Sequence, residues 1–200
     1  MAIANQKFED HTKKSRVHID DPLASEKISG IIIDKFKHYG VFRHRPIVLL
    51  CIGTDRSTGD CLGPLVGSKL NFKHNEFYKL YGNLDHPVHA GNLQEYLSNI
   101  QQKYVDPFII ALDACLGSID NIGNITIGDG SLQPGAGVNK SLPPVGHIYI
   151  TGIVNVGGFM EYLVLQNTRL NLVMKMADII VGGLSKVALE YWQENEVIAQ

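Results

Sequence analysis

The sequence predicts an α/β fold, with a three-layer αβα arrangement around a mainly parallel sheet. Two continuous apolar runs, at 47–52 and 108–112, have the length of a strand and the composition of a strand that is covered on both faces. Between and after them lie segments whose apolar residues recur at helical spacing. Because strands that alternate with such helices form βαβ units, we expect helices on both faces of one sheet.

The individual elements are predicted from periodicity and from flanking residues. Asp21 and Pro22 are typical of a helix start, and Gly40 is typical of a helix end. Asn92 can cap a later helix, and Gly182-Gly183 is expected to kink the last one. In chain order the prediction is a helix at 24–39, a strand at 47–52, a short helix at 62–70, a strand at 77–84, a helix at 93–104, strands at 108–112, 122–127 and 147–154, and helices at 159–166 and 170–188.

The composition indicates one soluble domain preceded by an arm. Residues 1–20 carry charged and polar side chains without periodicity, which predicts a flexible N-terminal arm, and residues 21–200 are expected to form a single α/β domain. The 200 residues are 44% hydrophobic and 19% charged, with a net charge of −2. This near-neutral charge gives no electrostatic basis for binding nucleic acid, and no apolar run approaches the length of a membrane span. We therefore expect neither nucleic acid nor a membrane as a partner.

Cysteine usage and the N-terminal residues predict a cytoplasmic protein. Cys51, Cys61 and Cys115 are an odd number of cysteines without CxxC spacing, which argues against a disulfide framework or a zinc ribbon. The first residues lack the apolar segment of a secretory signal. Reduced thiols in the cytosol are the simplest account of this pattern.

Two aspartates mark the predicted functional site. A glycine-rich loop at 53–63 follows the first buried strand and contains Asp60, while Asp113 directly follows the second buried run. In open α/β sheets, ligands bind outside the carboxyl ends of the strands, so both carboxylates reach one crevice if the two strands are neighbours. Paired carboxylates in a partly dry cleft provide one acid and one base, which can activate water for hydrolysis.

Other roles for these and neighbouring residues stay open on spacing alone. Asp60 could instead cap the helix that follows it. The glycine-rich loop matches neither GxGxxG nor a P-loop, which disfavours a nucleotide site. Cys61 or Cys115 could act as a nucleophile with His86, His89 or His147 as its base. Otherwise these two cysteines are small buried side chains, and His86 and His89 are surface or loop residues.

Four short motifs occur in the order seen in the germination protease of spore-forming bacteria. They are Gly59-Asp60-Cys61-Leu62-Gly63-Pro64, Leu112-Asp113-Ala114, Asn124-Ile125-Thr126-Ile127 and Pro134-Gly135-Ala136-Gly137-Val138-Asn139. From about Pro46 onward the chain resembles the smaller YyaC-type spore proteases. This resemblance implies a phosphorylase/hydrolase-like fold, which those proteins share with the hydrogenase maturation proteases, and makes residues 21–200 a peptidase-like domain.

The resemblance also implies a site and a substrate class. Asp60 and Asp113 match the catalytic aspartates of the germination protease, so both are expected to be catalytic. The substrate would be a protein or peptide, either a small acid-soluble spore protein or another sporulation protein. That substrate would place the chain in the cytoplasm of the forespore or spore.

Four further residues are expected to bind the substrate around this pair: Asp55, Gly135, Gly137 and Asn155. Asn155 stands where the maturation proteases have a metal-contacting histidine, ahead of the Phe-x-Glu-x-Leu pattern at 159–163. Because a nickel-type site would lose a ligand there, we expect no metal and no other cofactor.

Two function hypotheses from different classes follow. The leading one is an endopeptidase of sporulation or germination, in which Asp60 and Asp113 activate water against a peptide bond. The alternative is a non-catalytic peptide-binding or regulatory sporulation protein that retains the protease fold.

Overall fold

The computed structural model describes residues 14–41, 44–71, 76–134 and 142–197. The strands are β1 (Ser15–His18), β2 (Ile47–Cys51), β3 (Tyr78–Tyr81), β4 (Phe108–Gly117), β5 (Asn124–Asp129) and β6 (Ile148–Val156). The helices are α1 (Ala24–His38), α2 (Leu62–Asn71), α3 (Leu93–Lys103), α4 (Glu161–Gln166) and α5 (Leu170–Val197), with short 3-10 turns at Gly59–Cys61 and Ile119–Asn121.

All six strands belong to one sheet, in the order β1-β5-β6-β4-β2-β3. Strands β6, β4, β2 and β3 run parallel, and β5 and β1 continue the sheet in antiparallel fashion. The prediction of an α/β fold with a mainly parallel sheet is therefore confirmed. Because β4 and β2 are neighbours, the two buried runs identified from the sequence lie side by side.

Helices cover both faces of the sheet, and the core on one face is larger than the core on the other. Alternate residues of a strand point to opposite faces, and in β2 Leu49 belongs to the larger core that includes residues of α1, α2 and α5. Leu50 belongs to a smaller core on the opposite face, together with residues of α3. Both side chains are fully buried, which explains why the run carries no polar residue.

Three expectations differ from the structure in detail. The predicted arm includes a strand at its C-terminal end, because Ser15–His18 pairs with β5, while residues 1–13 lie outside the described residues. The second apolar run does not end before Asp113, because β4 continues to Gly117 through its pairing with β6. Helix α5 is continuous through Gly182-Gly183. In the part of the chain that the structure describes, no helix is long and apolar enough to cross a membrane.

Candidate active site

Asp60 is held by a loop that folds back on the end of β2. The loop begins at Gly53, whose φ of +136° is suited to glycine and whose N–H donates to the Val88 carbonyl at 2.8 Å. A Cβ on Gly53 would lie 2.0 Å from the Asp60 carbonyl oxygen. That same oxygen accepts a hydrogen bond from the Thr54 N–H at 3.1 Å. The close approach therefore requires a glycine at residue 53 and fixes the backbone of Asp60.

Asp113 reaches the same edge of the sheet from within β4. Strand β2 ends beside Leu112, where the Ile52 N–H donates to the Leu112 carbonyl at 2.7 Å, so Asp113 is the first residue of β4 beyond its neighbour. On its other side it is in register with Thr151 of β6. Its side chain is only 7% exposed, and Oδ1 accepts a hydrogen bond from the Ala114 N–H at 2.8 Å.

A cavity of about 430 Å³ brings the two aspartates together. Asp60 and Asp113 both line it, which agrees with the crevice expected at the carboxyl ends of the strands. Other charged or titratable lining residues are Arg56, His89, Cys115 and Glu161, and apolar parts of the wall come from Leu116, Leu132, Leu142 and Leu165. The cavity thus combines the carboxyl groups of Asp60, Asp113 and Glu161 with a largely apolar surround.

Burial controls the electrostatics of the site. It raises the pKa of the Asp60 carboxyl from the usual 3.8 to about 6, although a hydrogen bond from the Thr54 backbone opposes the rise. Burial also raises the pKa of both nearby thiols; the negative charge of Asp113 adds to the effect at Cys115, and that of Asp60 adds to it at Cys61. Because a protonated thiol is a poor nucleophile, this environment disfavours Cys61 and Cys115 in that role.

Comparison with known proteins assigns the chain to a family. Residues 16–183 match a family model described as a protein of unknown function, DUF1256. The chain belongs to this family. It is 48% identical over 184 residues to the uncharacterized protein YyaC of Bacillus subtilis (strain 168), covering 92% of this chain and 88% of that one. The expected resemblance to YyaC-type proteins is confirmed.

The fold of this family member is similar to that of a solved maturation protease. It is similar to the crystal structure of the [NiFe] hydrogenase maturation protease HycI from Thermococcus kodakarensis KOD1, with a TM-score of 0.50 over 79% of this chain and 98% of that one. The two sequences are 16% identical, so the likeness is one of fold alone. The predicted phosphorylase/hydrolase-like fold is confirmed.

Four residues were expected to bind the substrate around the aspartates, and the two of them that the structure describes do not line the cavity. Asp55 is exposed and does not line the cavity. Asn155 lies outside the lining as well: its Nδ2 donates to the Val164 carbonyl at 3.3 Å and to Thr168 Oγ1 at 3.2 Å, which ties β6 to the segment around α4. Gly135 and Gly137 lie outside the described residues.

Several lining residues are not apparent from the sequence. Glu161 and Tyr162 reach the cavity from α4, although the Phe-x-Glu-x-Leu pattern could have drawn attention to them. Ser57 also lines it; this residue is 7% exposed, and its hydroxyl has no hydrogen-bond partner among the described residues. His89 lines the cavity too, whereas His86 is exposed. The prediction of surface or loop residues therefore describes His86 fully, whereas for His89 the structure adds a position in the cavity wall.

The donor set does not resemble a metal centre. Among the described residues, no three or more His, Cys, Asp or Glu side chains are grouped so as to hold a metal ion. The amide of Asn155 is bonded at both ends within the protein, since its Oδ1 accepts from the Val156 N–H at 2.9 Å.

Proposed function

We propose that this protein is a peptidase in which Asp60 and Asp113 activate water against a peptide bond. The observation that supports this most directly is the shared cavity, in which the Asp60 carboxyl, one of the two, has its pKa raised to about 6. A carboxyl with this pKa exists in both protonation states near neutral pH, as general acid–base catalysis requires. The protease-like fold of the chain is consistent with the proposal.

The two aspartates have distinct roles in the proposed reaction. Asp113, whose carboxylate is stabilised by the Ala114 N–H, removes a proton from water as the water oxygen bonds to the peptide carbon. The carbonyl electrons move to oxygen to give a tetrahedral intermediate. Protonated Asp60 then donates its proton to the leaving nitrogen as the C–N bond breaks, and a proton passes from Asp113 to Asp60 through solvent to restore the starting state.

The proposed substrate is a polypeptide of the sporulating cell. The resemblance of the motifs around Asp60 and Asp113 to those of the germination protease is the basis for proposing a small acid-soluble spore protein or another sporulation protein. Such a substrate would be met in the cytoplasm of the forespore or spore. The apolar wall of the cavity would favour an apolar side chain next to the scissile bond, because burying that side chain removes it from water.

Cleavage assays with matched variants test the proposal. Purified full-length protein is incubated with small acid-soluble spore proteins and with a proteome-derived peptide library, and products are identified by mass spectrometry. We expect Asp60→Asn and Asp113→Asn each to reduce the cleavage rate by about 10²–10⁴-fold, because neither amide can transfer the proton. The rate of the unchanged enzyme should decline above about pH 6, where Asp60 loses its proton.

Asp34→Asn is the control, since Asp34 is exposed on α1 and outside the cavity; it should leave the rate unchanged. Undiminished cleavage in either active-site variant would contradict the mechanism. If the unchanged protein binds peptides without forming products, and this binding survives both Asn substitutions, the chain is instead a peptide-binding or regulatory protein.

A further inference from the structure

The loop at 83–92 is fixed to the active-site edge of the sheet. Val88, which is fully buried, continues the sheet beyond β3 by forming a parallel bridge with Ile52. Its carbonyl accepts from the Gly53 N–H at 2.8 Å, which joins this loop to the one that carries Asp60. The residue that follows Val88 is His89. The chain therefore brings His89 to the same carboxyl edge of the sheet as the two aspartates, in the segment that continues the sheet beyond β3.

Two asparagine side chains brace this loop. Asn83 Oδ1 accepts from the His86 N–H at 2.6 Å. Asn92 Oδ1 accepts from the His89 N–H at 2.8 Å, and Asn92 Nδ2 donates to the Pro87 carbonyl at 3.0 Å. The backbone N–H of Asn92 also donates to the His89 carbonyl at 3.0 Å. The main chain of His89 is thus hydrogen-bonded through both its N–H and its carbonyl, which fixes the backbone that carries the imidazole.

The imidazole of His89 has one nitrogen engaged and one available. Its Nδ1 accepts a hydrogen bond from the Gly91 N–H at 3.0 Å. A nitrogen that accepts a hydrogen bond carries no proton, so the neutral ring has its proton on Nε2. No described residue is hydrogen-bonded to Nε2, and His89 lines the cavity that contains Asp60 and Asp113.

We propose that His89 donates a hydrogen bond from Nε2–H to the carbonyl oxygen of the scissile peptide. This inference rests on the proposed peptidase function and adds a third catalytic residue to it. The negative charge that develops on that oxygen during attack by water needs a donor already in place. Neither aspartate is free to be this donor, because Asp113 acts as the base and Asp60 gives its proton to the leaving nitrogen. No proton is transferred from His89 in this step.

Kinetics of two His89 variants test the assignment. The substrate is a fluorogenic peptide built on a sequence that the unchanged enzyme cuts in the library assay. His89→Leu, which removes the donor, should lower kcat by about 10²–10³-fold with little change in KM, the loss seen when one such donor is deleted. His89→Gln retains an N–H near the position of Nε2 and should lose less. His86→Leu is the matched control in the same loop, and it should leave kcat unchanged because His86 is exposed and outside the cavity.

A second readout does not depend on turnover. A long-range ¹H–¹⁵N spectrum of the His89 ring in the full chain should show a proton on Nε2 and a bare Nδ1. A ring protonated on Nδ1 alone would overturn the assignment, as would a folded His89→Leu variant with kcat within threefold of the parent while Asp60→Asn is inactive; the proposed function would survive both results. Full activity of Asp60→Asn and Asp113→Asn would instead overturn the proposed function.

Discussion

At the scale of single residues, Asp60 shows how the fold converts an ordinary carboxyl into a group that titrates near neutrality. Protein atoms surround most of the Asp60 side chain, and this burial disfavours the charged form of its carboxyl. The hydrogen bond from the Thr54 backbone N–H stabilises the charged form but only partly offsets burial. A residue in this state costs stability when it is ionised.

This cost makes stability depend on pH. The native pKa of about 6 lies above the usual 3.8, so the protonated form is favoured in the fold; its contribution is complete below 3.8 and is lost as the pH rises through 6. We expect Asp60→Asn to increase the free energy of unfolding by about 3 kcal/mol at pH 8, since the pKa difference is about 2 units and one unit corresponds to about 1.4 kcal/mol. At pH 3.5 the gain should disappear. Urea denaturation at both pH values measures it.

The exposed Asp34→Asn substitution provides the comparison, and it should change stability by less than about 0.5 kcal/mol at either pH. A gain for Asp60→Asn that is equal at pH 3.5 and pH 8 would argue against an ionisation effect.

At the scale of elements, the contact between α1 and α5 depends on two glycines. A Cβ on Gly183 would lie 2.5 Å from Cγ2 of Ile28, and a Cβ on Gly182 would lie 2.6 Å from Oγ of Ser25. Ile28 is fully buried and cannot move aside. The Gly182-Gly183 pair, expected from the sequence to kink α5, therefore serves close helix packing within a continuous helix.

Alanine substitutions distinguish this packing role from helix propensity. Gly183→Ala should reduce the free energy of unfolding by about 2 kcal/mol, because overpacking a buried contact costs about 1–3 kcal/mol. Gly30→Ala on the exposed side of α1, where a Cβ would meet nothing within 4 Å, should instead stabilise the protein by up to about 1 kcal/mol. Both values come from urea denaturation. Equal effects of the two substitutions would mean that the helix contact is looser than the structure indicates.

At the scale of the whole molecule, the sheet incorporates residues that precede the first helix. Strand β1 pairs antiparallel with β5, with Val17 opposite Ile125. Val17 is 4% exposed and belongs to the larger core, whereas its neighbour Arg16 is exposed. This alternation is what an edge strand with one buried face requires, so β1 is part of the sheet and its core.

The contribution of β1 is measurable with a matched pair. Val17→Asn should lower the free energy of unfolding by about 2–3 kcal/mol, because it places a polar amide in an apolar environment. Arg16→Asn, one residue away on the solvent side, should change it by less than about 0.5 kcal/mol. Thermal melts and urea denaturation of the full chain give both values. Similar small effects of the two would show that β1 contributes little to the core.

The limits of prediction from the sequence are clearest in β4. The apolar run predicts a strand that stops before Asp113, because an unpaired charge in a buried strand is costly. In the structure the strand continues, because β6 pairs with it beyond the charge and the Asp113 carboxylate faces the cavity with a backbone N–H as its partner. A buried aspartate therefore interrupts the apolar pattern without ending the strand.

The sequence by itself determined the order of helices and strands from residue 24 onward, the parallel core of the sheet and the two aspartates, because periodicity, glycine loops and a charge beside an apolar run are local properties of the chain. Only the tertiary structure decided which other residues join them. Strand order places His89 beside the glycine loop, and α4 brings Glu161 to the same cavity, while Asn155 is committed to bonds with Val164 and Thr168. These placements depend on contacts between residues far apart in the chain, which no local spacing encodes.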